Sequence, residues 1–136
     1  MNAKQYLKQA YKLNELIQDK QDRLSDLRSM SVVSAIDYSK DRVQSSSNNA
    51  PFENRVIQIV DLEHDLESDI CRLKNLKIQI NKAVEEVPDV DCSMLLSKRY
   101  ILMKTWEQIS DEMNYSVSQL HRLHEKALNL FKVPNT

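Results

Sequence analysis

Glycine is absent from the 136 residues, and proline occurs only three times. Tight β-hairpin turns need backbone at positive φ, which glycine supplies at least steric cost. An all-β fold is therefore not expected, and neither are the glycine-rich loops that cradle nucleotide phosphates. Cysteine is nearly as scarce. Cys71 and Cys92 match no zinc or redox spacing. Long apolar runs are missing as well: no stretch approaches the roughly 20 residues of a membrane span. The opening "MNAKQYLKQAYKL" is amphipathic from its start and lacks the apolar segment of a secretory signal. A reduced, cytoplasmic setting is the expectation. No nucleophile elbow, metal-binding set or carboxylate pair tied to a pocket is visible, so neither an enzyme nor a cofactor is expected.

What is present suits a packed helical protein: 41% hydrophobic and 29% charged residues. The net charge of −1 hides an asymmetry. Residues 1–92 hold 13 Lys/Arg against 16 Asp/Glu, giving −3, and residues 93–136 hold six against four, giving +2. Only the C-terminal part is drawn toward a polyanion by its charge.

From Ala3 to about Arg28, Tyr6, Ala10, Leu13, Ile17, Leu24 and Leu27 fall at alternating steps of four and three. Lys20 is the one polar residue in this heptad seam, and such a residue can fix register. Residues 29–50 are rich in serine and asparagine, whose side chains compete for backbone hydrogen bonds. They are expected to form a loop, most flexible at "QSSSNNAP", with room for a short element near Val32 to Ile36. A second helix is expected from about Phe52 to Val87, with Ile59, Leu62, Leu66, Leu73, Leu76, Ile80, Ala83 and Val87 on its stripe and Asp69 as the exception. Pro88 ends it. Two such helices predict a long, coiled-coil-like antiparallel hairpin over residues 1–87, since neither buries its stripe alone. The surplus stripe on the second helix needs a further partner, either the C-terminal domain or a second subunit, and self-association is expected, with a dimer favoured.

The segment from 88 to 136 reads differently. A helix over about Cys92 to Met103 is followed by "TWEQISDEMNYSVSQLHRLHEKAL". Thr105 with Gln108, and Ser116 with Gln119, have the spacing of capping boxes. They enclose a short helix, Trp106 to Met113, and a turn in which Asn114 tolerates left-handed backbone. A last helix follows from Val117 to about Lys132. Trp106, Ile109, Met113, Val117, Leu120, Leu123, Leu128 and Phe131 are the expected core. The fold class predicted is all-α, a helical hairpin followed by a helix-turn-helix.

On "RY" before the hairpin, "WEQIS" on its first helix, the Ser116 cap and "KAL" at Lys126–Leu128, residues 95–131 resemble region four of bacterial sigma factors, which reads promoter DNA. The whole chain resembles small phage late transcription regulators of the ArpU/RinA type, with a "D-x-V" element at Asp41 and Val43 and "LL-x-x-RY-I…W-x-x-I" further on. The last helix carries fewer arginines than region four. The resemblance implies a phage protein acting in the bacterial cytoplasm on double-stranded DNA at late genes. Val117, Ser118, His121 and Arg122 would face bases, and Gln119 a base or a phosphate. Arg122 has the geometry for guanine and Gln119 for adenine. Lys98, Arg99, Lys104 and Lys126 are the phosphate candidates.

Blander readings stand beside these. Trp106 is expected in the core and not on a base. His121 and His124 form an H-x-x-H pair with no further ligands in view, so no metal is expected. The acidic run Asp61–Asp69 reads as a solvated helix face. Two other functions fit the same elements. One is a DNA-packaging protein of small-terminase type. The other is a helical adaptor that grips a host factor such as RNA polymerase.

Overall fold

The computed structural model describes residues 1–40 and 49–134, with side chains outside 31–40 and 49–50. The described residues form α1 (Ala3–Lys40), α2 (Asn49–Glu85), α3 (Val90–Leu96), a π-helical turn (Ser97–Ile101), α4 (Trp106–Met113) and α5 (Val117–Leu130). The protein is all-α over this range. No helix among the described residues is long and apolar enough to cross a membrane.

The N-terminal helix continues to Lys40, twelve residues past the end expected at Arg28. Serine and valine cost at most about 0.7 kcal/mol each within a helix. Extension of an existing helix also avoids a new nucleation step. The predicted break at 29–40 therefore does not occur. Residues 41–48, which include Asp41, Val43 and most of the expected flexible stretch, lie outside the described residues. Asn49, Ala50 and Pro51 already belong to α2. Proline is tolerated there, because the first helical turn has no intrahelical acceptor for its missing N–H.

Contacts divide the chain into two compact units, Met1–Asn14 with Arg72–Thr136, and Glu15–Cys71. The division does not fall at Pro88: about the first three turns of α1 and the end of α2 belong with the C-terminal elements. In the unit Glu15–Cys71, the α1 and α2 segments run antiparallel. Lys20 meets Asp69, Arg28 meets Glu63, and Arg55 donates to the Met30 carbonyl. Ile17, Leu24 and Leu66 are buried between them. Phe52, Val56, Ile57 and Val60, further along α2, are exposed.

In the other unit Leu7, Ala10, Ile80, Cys92, Leu95, Leu96, Ile109, Leu120 and Ala127 are wholly buried. Leu95 from α3, Ile109 from α4 and Leu120 from α5 share one core, with Trp106, Met113, Tyr115 and Leu123 packed against it. Tyr6 donates its hydroxyl to Gln79 at 3.0 Å and packs its ring 6.1 Å from Phe131. Leu7 was not on the expected heptad stripe. Packing on two sides of α1 here buries a wider face than a coiled-coil seam requires.

Candidate nucleic-acid interface

Both expected helix starts form complete capping boxes. Thr105 Oγ1 accepts from the Gln108 N–H at 3.2 Å, and Gln108 Oε1 accepts from the Thr105 N–H at 3.0 Å. Ser116 and Gln119 repeat the arrangement at 3.1 and 2.9 Å. Between them Asn114 closes α4 at φ 60°, ψ 34°, left-handed backbone that asparagine adopts more readily than most residues. The Ser110 hydroxyl donates to the Tyr115 carbonyl across this turn. Tyr115 in turn donates to Asp91 of α3 at 2.9 Å. Two short helices linked by Asn114–Ser116 on a shared core are the arrangement of a helix-turn-helix.

The approach to α4 departs from a regular helix. From Ser97 to Ile101 the backbone widens by one residue, with the Leu102 N–H donating to the Ser97 carbonyl at 3.0 Å. Met103 then takes a positive φ of 56°. Such backbone persists only where its surroundings hold it. Here the Tyr11 hydroxyl donates to the Arg99 carbonyl at 2.7 Å, and an Arg99 guanidinium N–H donates to the Lys104 carbonyl at 2.9 Å. The same guanidinium lies 4.6 Å from the ring centres of both Tyr11 and Trp106. Tyr11 was missed in the sequence. Its only signal was an aromatic residue beside the Ala10 seam position.

The nine residues expected to touch DNA fall into two groups. Val117, Ser118, Gln119, His121 and Arg122 are all exposed on the first two turns of α5. Val117 was also expected in the core, and at 38% exposure it does not belong there. Gln119 directs Oε1 to its own cap. His121 packs at a tilt against Trp106, with ring centres 4.6 Å apart and planes 48° apart. The second group is engaged within the protein. Lys98 and Lys104 both pair with Glu112, the former at 3.0 Å. These two lysines, Lys104 first, hold the Glu112 carboxyl below its usual range. Arg99 is sandwiched as described. Lys126 pairs with Asp89 at 2.9 Å, and Asp89 also caps α3 by accepting from the Cys92 N–H. The Lys126 contact, then this cap, lower the Asp89 pKa.

The H-x-x-H pair separates. While His121 is exposed, His124 is buried, its Nε2 2.8 Å from the Tyr100 hydroxyl. Burial lowers the His124 pKa to about 4, helped by the neighbouring Arg99 charge, and raises that of Tyr100 to about 12. Both are neutral near pH 7, and the tautomer of His124 decides which of the two donates. The unfolded chain, with histidine near its ordinary value of 6.5, binds a proton more readily than the folded chain. Stability contributed by His124 is thus full above about pH 6.5 and falls steadily toward about pH 4, by on the order of 3 kcal/mol. Urea titrations across that range should show the loss, and His124→Gln should flatten it. An equal pH slope in the variant would place the acid sensitivity elsewhere.

The described residues thus form an all-helical fold with a helix-turn-helix built on α3 to α5. The chain belongs to a family of proteins of unknown function, DUF1492, which matches residues 32–132, roughly three quarters of its length. No curated protein and no solved structure matches it.

Proposed function

We propose that the protein binds double-stranded DNA in a sequence-specific way, with the N-terminal half of α5 in the major groove. The observation that carries this reading is the pair of capped helices around Asn114, which presents Val117, Ser118, His121 and Arg122 on one solvent-facing end. The helix-turn-helix mode places those positions at base edges. The local excess of positive charge supports it. The resemblance to sigma region four and to ArpU/RinA-type proteins extends the reading to a phage transcription regulator of late genes, working in the host cytoplasm. A dimer accompanies it, because two half-sites are the usual target of such motifs. The exposed apolar residues Phe52, Val56, Ile57 and Val60 are compatible with self-association.

One observation favours a second reading, the helical adaptor for a host factor such as RNA polymerase. Lys98, Arg99, Lys104 and Lys126 are all held by internal partners. Less free positive charge is left for phosphates than region four would offer.

Footprinting over the DNA flanking its own gene separates the two readings, followed by anisotropy titrations at two salt concentrations. Arg122→Ala should cost about 1–3 kcal/mol on the protected site and little on random DNA. Asp89→Asn retains a good helix cap while releasing Lys126. That variant should bind cognate and random duplexes alike more tightly and steepen the salt dependence by about one phosphate contact. No protected site, together with no salt-dependent binding, would leave the adaptor reading in its place.

A further inference from the structure

The exposed face of α5 is not uniformly basic. Ser118, Arg122, Glu125 and Asn129 succeed one another at steps of four, three and four, and all are exposed. They lie opposite the buried stripe of Leu120, His124, Ala127 and Phe131. Arg122 and Glu125 are three residues apart and within reach of each other, yet they form no ion pair. Among the described residues neither has a charged partner, whereas Lys126, the next residue, is held by Asp89. A free carboxylate thus stands beside a free guanidinium, in the turn of α5 that follows the half proposed to enter the groove.

A carboxylate there is unfavourable near phosphates and earns its place only against a donor. In the major groove cytosine offers such a donor, its 4-amino group, while guanine offers the O6 and N7 acceptors that match arginine. Resting on the DNA-binding reading above, we infer that Glu125 is a specificity residue that accepts a hydrogen bond from a cytosine amino group, beside a guanine held by Arg122. The preferred site therefore carries a guanine and a cytosine within the span of one helical turn of α5. On other sequences the unpaired carboxylate repels the backbone and keeps random binding weak.

The test is selection from a duplex library randomised over one turn of DNA, run with the native chain, Glu125→Ala and Glu125→Gln. Both substitutions are at an exposed helix position, and neither is expected to disturb folding. The native chain should enrich cytosine at one position. Glu125→Ala should lose discrimination there by roughly 5- to 150-fold while gaining affinity for random duplex. Glu125→Gln should shift the preference at that position toward adenine, which glutamine reads through N6 and N7. Enrichment by the native chain with the same base preferences in both variants would overturn the role of Glu125 and leave the DNA-binding reading intact. No enrichment by the native chain would remove that reading, and this inference with it.

Discussion

Leu120→Ala should melt the helix-turn-helix at a cost of about 2–5 kcal/mol, while Val117→Ala, three residues earlier on the same helix, should change stability by no more than about 0.5 kcal/mol. Both residues are apolar, and both were placed in the core from spacing alone. Leu120 is wholly buried against Leu95 and Ile109. Truncating it leaves a cavity lined by α3, α4 and α5, which converge there and cannot all collapse inward. Val117 is 38% exposed at the first position of α5, and alanine favours the helix. Urea unfolding followed by circular dichroism measures both. On DNA the order should reverse among the folded molecules. Leu120→Ala, at temperatures where it remains folded, should retain its base preferences, whereas Val117→Ala should lose contact with a thymine methyl or a sugar edge. Similar stability losses in the two variants would mean that α5 is rotated from the orientation described.

The helix-turn-helix was legible because its signals are local. Capping boxes at Thr105 and Ser116 and an asparagine in the turn involve residues three or four apart, and each specifies backbone hydrogen bonds directly. The two long helices were legible from period, but their ends were not. Nothing local stops α1 at Arg28, and the serine-rich continuation pays too small a propensity penalty to do so. The π-helical turn has no sequence signature of its own. Its Arg99 carbonyl accepts from the Tyr11 hydroxyl, 88 residues away in the sequence. The same distance effect governs the site. Which side chains are exposed on α5 follows from period. That Lys98, Lys104 and Lys126 are tied to Glu112 and Asp89 follows only from packing, which brings those carboxylates close. His124 shows the limit most clearly. Spacing grouped it with His121, yet Tyr100 and the core claim it.

The two residues that broke the heptad stripes, Lys20 and Asp69, meet each other. Lys20 Nζ lies 2.5 Å from Asp69 Oδ2, with side-chain exposures of 16% and 8%. Each is an exception on its own helix for the same reason, and neither exception is interpretable without the other. Lys20→Leu alone should cost about 3 kcal/mol, the low end for breaking a buried pair, because Asp69 keeps further neighbours. Replacing both residues by leucine should restore or exceed the native stability, by up to about 4 kcal/mol, since two charges no longer have to be desolvated. The pair would then serve alignment more than stability. With leucine at both places the seam reads apolar at every step between Ile17 and Leu24 and between Leu66 and Leu73, and shifted pairings no longer bury a charge. The double variant should accordingly be more stable but less uniform, with a broader unfolding transition and a mixture of assembly states by sedimentation. A single variant that loses less than about 1 kcal/mol would show that the contact is solvent-screened and fixes nothing. A double variant as uniform as the native chain would assign register to the remaining apolar positions alone.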